Sequence, residues 1–293
     1  MPGDPHPASA VATRTITTRR PKFDYGDGLG RRHFAQGDLL TSHLVAVLSG
    51  IIPEGERFVV DAVKRYRADI ADPLLKQQAN AFVGQESMHQ REHERLNEAL
   101  RTMGYPTTFV HRTGALLRQV GRRLPRRTQL ALTAAIEHWT AVLAEHSLAD
   151  DRPGLSLVDD EVRAFITWHL IEEIEHKSVA FDIMQALGTT EKQRVGAMWL
   201  LVLLVGPALA AGLLVSLARD PAAWNPMNVS RSLLWMRENS TLSQGAFTAD
   251  VRSWSQRGFH PDLRDHAELL DRWRAEAFGP GSIVEQRSGR PVG

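Results

Sequence analysis

From about residue 38 to about residue 187, apolar residues recur every three or four positions, the spacing that buries one face of an α-helix. No run of alternating β-branched residues competes, so the chain reads as all-α. Breakers set the helix ends. The first helix runs to about Ile70 and is ended by Asp72-Pro73, with Pro53 either starting it or kinking it. The second runs from about Pro73 to Met103 and stops at Gly104 and Pro106. Residues 106–127 read as a solvated basic connector carrying Arg112, Arg118, Arg122, Arg123, Arg126 and Arg127. A third helix spans about 127–149 and a fourth about 158–187, closed by Pro153-Gly154 and by Gly188. A fifth begins near Thr190, and two or three shorter helices follow Pro221.

The expected organisation is a disordered or irregular segment over 1–37, a helical bundle over 38–188, C-terminal helices over 189–278 packing on it, and a tail over 279–293. Residues 1–20 have no apolar periodicity and no hydrophobic leader core, so they read as a disordered tail of a cytoplasmic protein.

Polar residues interrupt the core faces at mid-height. The second helix buries Leu75, Ala79, Phe82, Glu86, His89, His93, Leu96 and Leu100 on one stripe. The fourth gives Val162, Phe165, His169, Glu173, His176, Ala180 and Ile183. Glu137 interrupts the third stripe and Glu56 the first. A buried, uncompensated carboxylate costs several kcal/mol, so four such faces need a shared counter-charge. A pair of divalent cations supplies it. One Glu from each of two helices and Glu-x-x-His from each of two others is the ligand pattern of di-metal carboxylate bundles. Here that pattern is Glu56, Glu86 with His89, Glu137, and Glu173 with His176. His93 and His138 are candidates for supporting these ligands from behind, with Glu145 beside them. Glu54, Glu172 and Glu175 lie off the stripes and read as surface charges. Ala134, Ala141 and Ala144 would leave room for a substrate beside Glu137.

Composition narrows the chemistry. The 293 residues contain no cysteine, which excludes disulfides, thiolate zinc sites and iron–sulfur clusters, and 12 histidines. Lys plus Arg is 35 against 34 for Asp plus Glu, a balance that argues against nucleic acid as a partner.

The segments Pro53-Glu54-Gly55-Glu56-Arg57-Phe58, Phe82 to His93 and Trp168 to Asp182 resemble the bacterial family of predicted metal-dependent hydrolases, over roughly residues 38–270. The ligand pattern also resembles the ferritin-like superfamily and, within it, the arylamine N-oxygenase branch. The spacing His169-x-x-x-Glu173-x-x-His176 is similar to that branch's last ligand helix. This resemblance implies a ferritin-like four-helix bundle with additional C-terminal helices, and His169 as a seventh ligand. The leading expectation is a di-iron oxidase or oxygenase that activates dioxygen on a small apolar substrate, using an external electron donor. The alternatives are a di-metal hydrolase using a bridging hydroxide and a non-catalytic metal-binding protein. Iron is the expected metal, and manganese and zinc accept the same ligands.

Val195 to Ala218 carries no charge and a single polar residue, Ser216, and is long enough to cross a bilayer. Gly206-Pro207 interrupts it. A kinked helix against the bundle, a homodimer interface, a membrane or lipid contact and a full span are the readings its composition allows.

Overall fold

The computed structural model describes residues 16–25, 29–149, 158–239, 245–282 and 284. Ten α-helices account for most of them: α1 Leu39–Tyr66, α2 Pro73–Thr102, α3 Thr107–Arg122, α4 Arg126–Leu148, α5 Asp160–His176, α6 Val179–Ala186, α7 Glu191–Ala218, α8 Pro226–Asn239, α9 Gly245–Ser253 and α10 Ala267–Phe278. No strand occurs among the described residues. The all-α expectation holds. Local chemistry explains the starts. Asp38 accepts from Thr41 N, Asp72 accepts from Leu74 N and Leu75 N ahead of Pro73, and Thr190 forms a capping box with Gln193.

Helices α1 and α5 each pack on both α2 and α4, so these four enclose one core. That core is layered. One apolar cluster holds Val59 and Val63 of α1, Leu75, Ala79 and Phe82 of α2, and Leu130 and Ala134 of α4. The other holds Ala46, Leu96, Leu100, Ala144, Leu148, Val162 and Phe165. Between them, at mid-height on each helix, stand the carboxylates and imidazoles.

Two expectations about elements are corrected. The connector expected over 106–127 is the helix α3, because Val110, Gly114 and Gly121 recur on one face and close on α1. A Cβ at Gly114 would meet Glu54 and Ile51 at 3.1–3.2 Å, and one at Gly121 would meet Phe58 at 2.9 Å, so the helices approach closely only because these are glycines. The fourth helix is two, α5 and α6, parted at Lys177-Ser178, where the Lys177 ammonium reaches the Arg264 carbonyl at 2.7 Å. Of the two readings allowed for Pro53, the structure has the one inside α1 and not the one at its start. The disordered-tail reading of residues 1–15 lies outside the described residues. Residues 16–25 follow an irregular path and bury Arg19 and Phe23.

Helix α7 lies along α4, α1 and α3, and both of its ends are tied into the protein. The Arg194 guanidinium donates to the Trp254 and Gln256 carbonyls. At the other end Ser216 Oγ meets His43 Nδ1 at 2.6 Å, and Asp220 Oδ2 meets His43, His33 and Arg32 at 2.9 Å each. Burial opposes its ionisation, but these donors hold the Asp220 carboxylate below its usual range. Asp220 therefore stabilises the fold above the ordinary aspartate range, and that contribution is lost as pH falls towards its folded pKa. Asp220→Asn should cost about 2 kcal/mol near neutral pH and flatten the acid limb of a melting-temperature profile. An unchanged acid limb would count against this assignment.

Candidate metal centre

The seven residues that the stripes and the resemblance single out are all buried and converge between the two apolar clusters. They fall into two groups. Glu56, His89 and His169 bring one donor atom each to within 4.8 Å of one another, and Glu86, Glu137, Glu173 and His176 do the same. Two carboxylates join the groups. Glu173 Oε1 lies 2.7 Å from His169 Nε2 and its Oε2 3.4 Å from His176 Nε2. Glu86 Oε1 lies 3.4 Å from His89 Nδ1 and 3.2 Å from His176 Nε2. Glu56 and Glu137 flank the pair, with Glu137 Oε2 3.1 Å from His176 Nε2.

Polar satisfaction fails here in one direction. Both Glu56 oxygens, Glu86 Oε1, Glu137 Oε2, His89 Nδ1 and His176 Nε2 are buried with no hydrogen-bond partner. Native interiors leave few such atoms. Acceptors and imidazole nitrogens aimed at a common centre are what cations satisfy, so the donor set fits metal ions. Electrostatics says the same. Burial first, and then the neighbouring Glu86, raises Glu56 well above the carboxylate range and Glu137 to about 8. Burial also works against charge on His89, yet Glu172 and Glu86 push its imidazole up to about 10. Protons hold the charge that cations would otherwise supply.

Each imidazole is aimed by a second partner. His89 Nε2 meets Glu172 Oε2 at 3.0 Å, so its Nε2–H donates and Nδ1 turns inward, where loss of its proton would free a lone pair for a cation. His176 Nδ1 meets Gln85 Oε1 at 3.0 Å, leaving Nε2 for the centre. Gln85 is itself oriented, because its amide nitrogen donates to the Thr17 carbonyl and to Glu175 Oε2 at 3.1 and 2.8 Å. His169 Nδ1 meets His93 Nε2 at 3.0 Å, and His93 Nδ1 meets Ser49 Oγ at 2.9 Å. Here His169 Nε2 donates to Glu173 Oε1 at 2.7 Å and Nδ1 accepts from His93; in the other tautomer, with Nδ1–H donating to His93, Nε2 would be left for a cation.

His93 thus lies against this group of donors, while His138 does not. The His138 ring stacks on Trp254 at 5.2 Å and its Nε2 meets the Asp250 carbonyl, turning it towards α9. Glu145 pairs with Arg264 and His266 instead of reaching the centre.

Glu54, Glu172 and Glu175 are the clearest misreadings, since all three are buried. Glu54 turns to α3, where Arg118 Nε meets it at 2.6 Å, and Arg57 also binds it. Glu172 and Glu175 share Arg19, whose guanidinium lies 3.0 Å from Glu172 Oε1 and 2.9 Å from Glu175 Oε1. Arg274 joins Glu175 at 2.9 Å. The signal was available in α5, where Phe165, Trp168, Leu170, Ile171 and Ile174 leave no polar side. A helix apolar all round is buried all round, and its off-stripe acids with it. Glu172→Gln should lower metal affinity about 10–100-fold by releasing His89. Titration with a chromophoric chelator measures it, and an unchanged affinity would refute the supporting role.

A cavity of 550 Å³ opens from the centre. Glu56, Glu86, Glu137, His169 and Glu173 line it at the centre, Glu54, Arg118 and Thr140 are among its other polar residues, and Leu48, Ile52, Leu117, Ile136 and Leu201 are among its apolar walls. It lies between α4, α1, α3 and α7. Ala134 and Ala144 instead belong to the two apolar clusters, so the expected space beside the α4 alanines is displaced to another side of that helix.

The fold and site together define an all-α protein with a buried carboxylate–histidine centre beside an apolar cavity. Residues 17–265 match the family described as predicted metal-dependent hydrolase, and the chain belongs to that family. The match says nothing of the ferritin-like superfamily. No curated protein and no solved structure matches the chain.

Proposed function

We propose that Glu56, Glu86, His89, Glu137, His169, Glu173 and His176 hold two divalent cations, and that the chain is a metal-dependent hydrolase of a small apolar substrate. The observation that carries this reading is the set of buried, unpartnered carboxylate and imidazole atoms converging from four helices. The family description supports hydrolysis as the reaction class. Bound there, the cations would activate water and polarise a carbonyl or phosphoryl group. Glu56, His169 and Glu173 border the cavity, so the reacting end of a substrate would meet the centre on that side. The apolar walls would hold the remainder and exclude bulk water.

A second reading, a di-iron oxidase or oxygenase with an external electron donor, draws support from His169 and from the apolar cavity. His169 adds a third imidazole 2.7 Å from Glu173, and hydrocarbon walls suit oxidising chemistry better than hydrolysis of polar esters. The two readings part under anaerobic conditions. Protein loaded with zinc or manganese without dioxygen should cleave an apolar aryl ester if it is a hydrolase. No cleavage with any metal, together with dioxygen consumption by the reduced iron-loaded protein, would replace hydrolysis by the second reading.

A further inference from the structure

Besides the partly exposed Thr41, Arg118, Thr140 and Ser147, the cavity has a long apolar side. Its outer wall is α7, through Leu201, Val202, Leu204, Val205 and Leu209, with Leu117 of α3 and Trp235 of α8 beside them. The opposite side of α7 faces outward. Trp199 is 65% exposed, Leu203 69% and Leu214 68%. The outer side of α3, which packs on α7, continues this surface with exposed Phe109, Leu116 and Val120, and α8, which packs on α1 and on the turn at Pro221–Trp224, exposes Met227, Leu233 and Leu234. Solvated proteins rarely expose so much contiguous hydrocarbon. On α3 the apolar positions 109, 116 and 120 share a helical face with Arg112 and Arg123, both exposed. Arg122, Arg126 and Arg127 extend the basic edge.

We propose that α3, α7 and α8 form a membrane-docking surface, and that the cavity behind it admits a substrate with one long hydrocarbon chain from the bilayer to the carboxylate–histidine centre. An apolar face edged by arginines and carrying Trp199 and Trp224 has the composition of a segment lying in a lipid interface. Anionic head groups complement that edge. Docking rather than spanning follows from the ends of α7, because Arg194 is bound to the Trp254 carbonyl and Ser216 to His43 within the protein. A chain entering between α3 and α7 would run along Leu117, Leu201 and Val205 towards Glu56 and Glu137, with the paired Glu54 and Arg118 at one side. The substrate half rests on the hydrolase reading of the centre, and the docking half does not.

The test uses the full chain with vesicles of phosphatidylcholine alone and with added phosphatidylglycerol. Wild type should float with both and prefer the anionic ones, with its tryptophan fluorescence quenched by brominated lipid. Leu203→Glu should weaken partitioning by at least about tenfold, since it removes a buried Leu from hydrocarbon. Arg122→Glu with Arg123→Glu should reduce the anionic preference by about fivefold or more per position. For the cavity, cis-parinaric acid serves as the probe. Gly55 lines the cavity and an added Cβ there meets nothing within 4 Å, so Gly55→Leu should fill the space and weaken probe binding about tenfold with metal content unchanged. Wild type that stays in the aqueous phase with both vesicles, or a dimer that Leu203→Glu dissociates, overturns the docking surface. Unchanged probe binding in Gly55→Leu overturns the chain route. A protein that docks and binds the probe yet holds no metal would overturn the hydrolase reading alone.

Discussion

Glu173→Ala should leave the protein without either cation. Its two oxygens serve different groups, Oε1 at 2.7 Å from His169 and Oε2 at 3.4 Å from His176, so one truncation removes a donor from both. Glu86→Ala should act alike, because Glu86 Oε1 lies near both His89 and His176. Glu56→Ala and Glu137→Ala each remove a flanking donor and should spare about half of the metal. Elemental analysis of the variants measures this, and full occupancy in Glu173→Ala would sink the assignment. Metal should also stabilise the fold. With free metal at about a thousand times the dissociation constant, binding contributes about 4 kcal/mol, or roughly 10 °C in melting temperature for a chain this size. Equal melting curves with and without a chelator would contradict a buried centre. Because His89 is pushed up to about 10 and Glu137 to about 8 without cations, metal uptake near pH 7 should release protons, which an indicator dye records.

Arg19→Met should be the most damaging single change outside the centre. Arg19 binds Glu172 and Glu175, both buried, and its guanidinium lies 4.1 Å from the Phe278 ring. Removing one partner from a buried ion pair costs about 3–5 kcal/mol, because the remaining charge is stranded. In melting temperature that is about 10 °C. The damage should spread to the centre, since Glu172 aims His89 and Glu175 aims Gln85, which aims His176. Metal affinity should therefore fall with stability. Burial opposes the ionisation of Glu175, and Arg19 and Arg274 hold it below the carboxylate range. Its contribution is present above the ordinary glutamate range and lost on acidification, so the variant should show a weaker acid limb. Exposed Arg20→Met is the control, expected to change little. Equal stability of the two variants would show that Arg19 is dispensable.

The ligand stripes were legible because helical periodicity is local. Glu86 and His89, or His169, Glu173 and His176, share a face through spacing alone, whatever packs against them. Breakers were legible for the same reason, as at Asp72-Pro73 and Thr190. Amphipathicity measured along one stripe failed for α5, whose off-stripe acids Glu172 and Glu175 are buried because neighbours enclose the helix on every side. It failed for α3 too, where arginines dominate the composition while Val110, Gly114 and Gly121 decide the packing.

The residues in chain order therefore carry the helical class, the breaks at Gly and Pro, and the ionisable groups that share each core face. Those follow from backbone geometry over a few turns. Pairing Arg19 with Glu172, turning His138 towards Asp250, aiming Gln85 at His176 and opening a cavity behind α7 depend on contacts between elements far apart in the chain. Such contacts are set by how whole helices close on one another, and no local pattern encodes the partner that a buried charge will find.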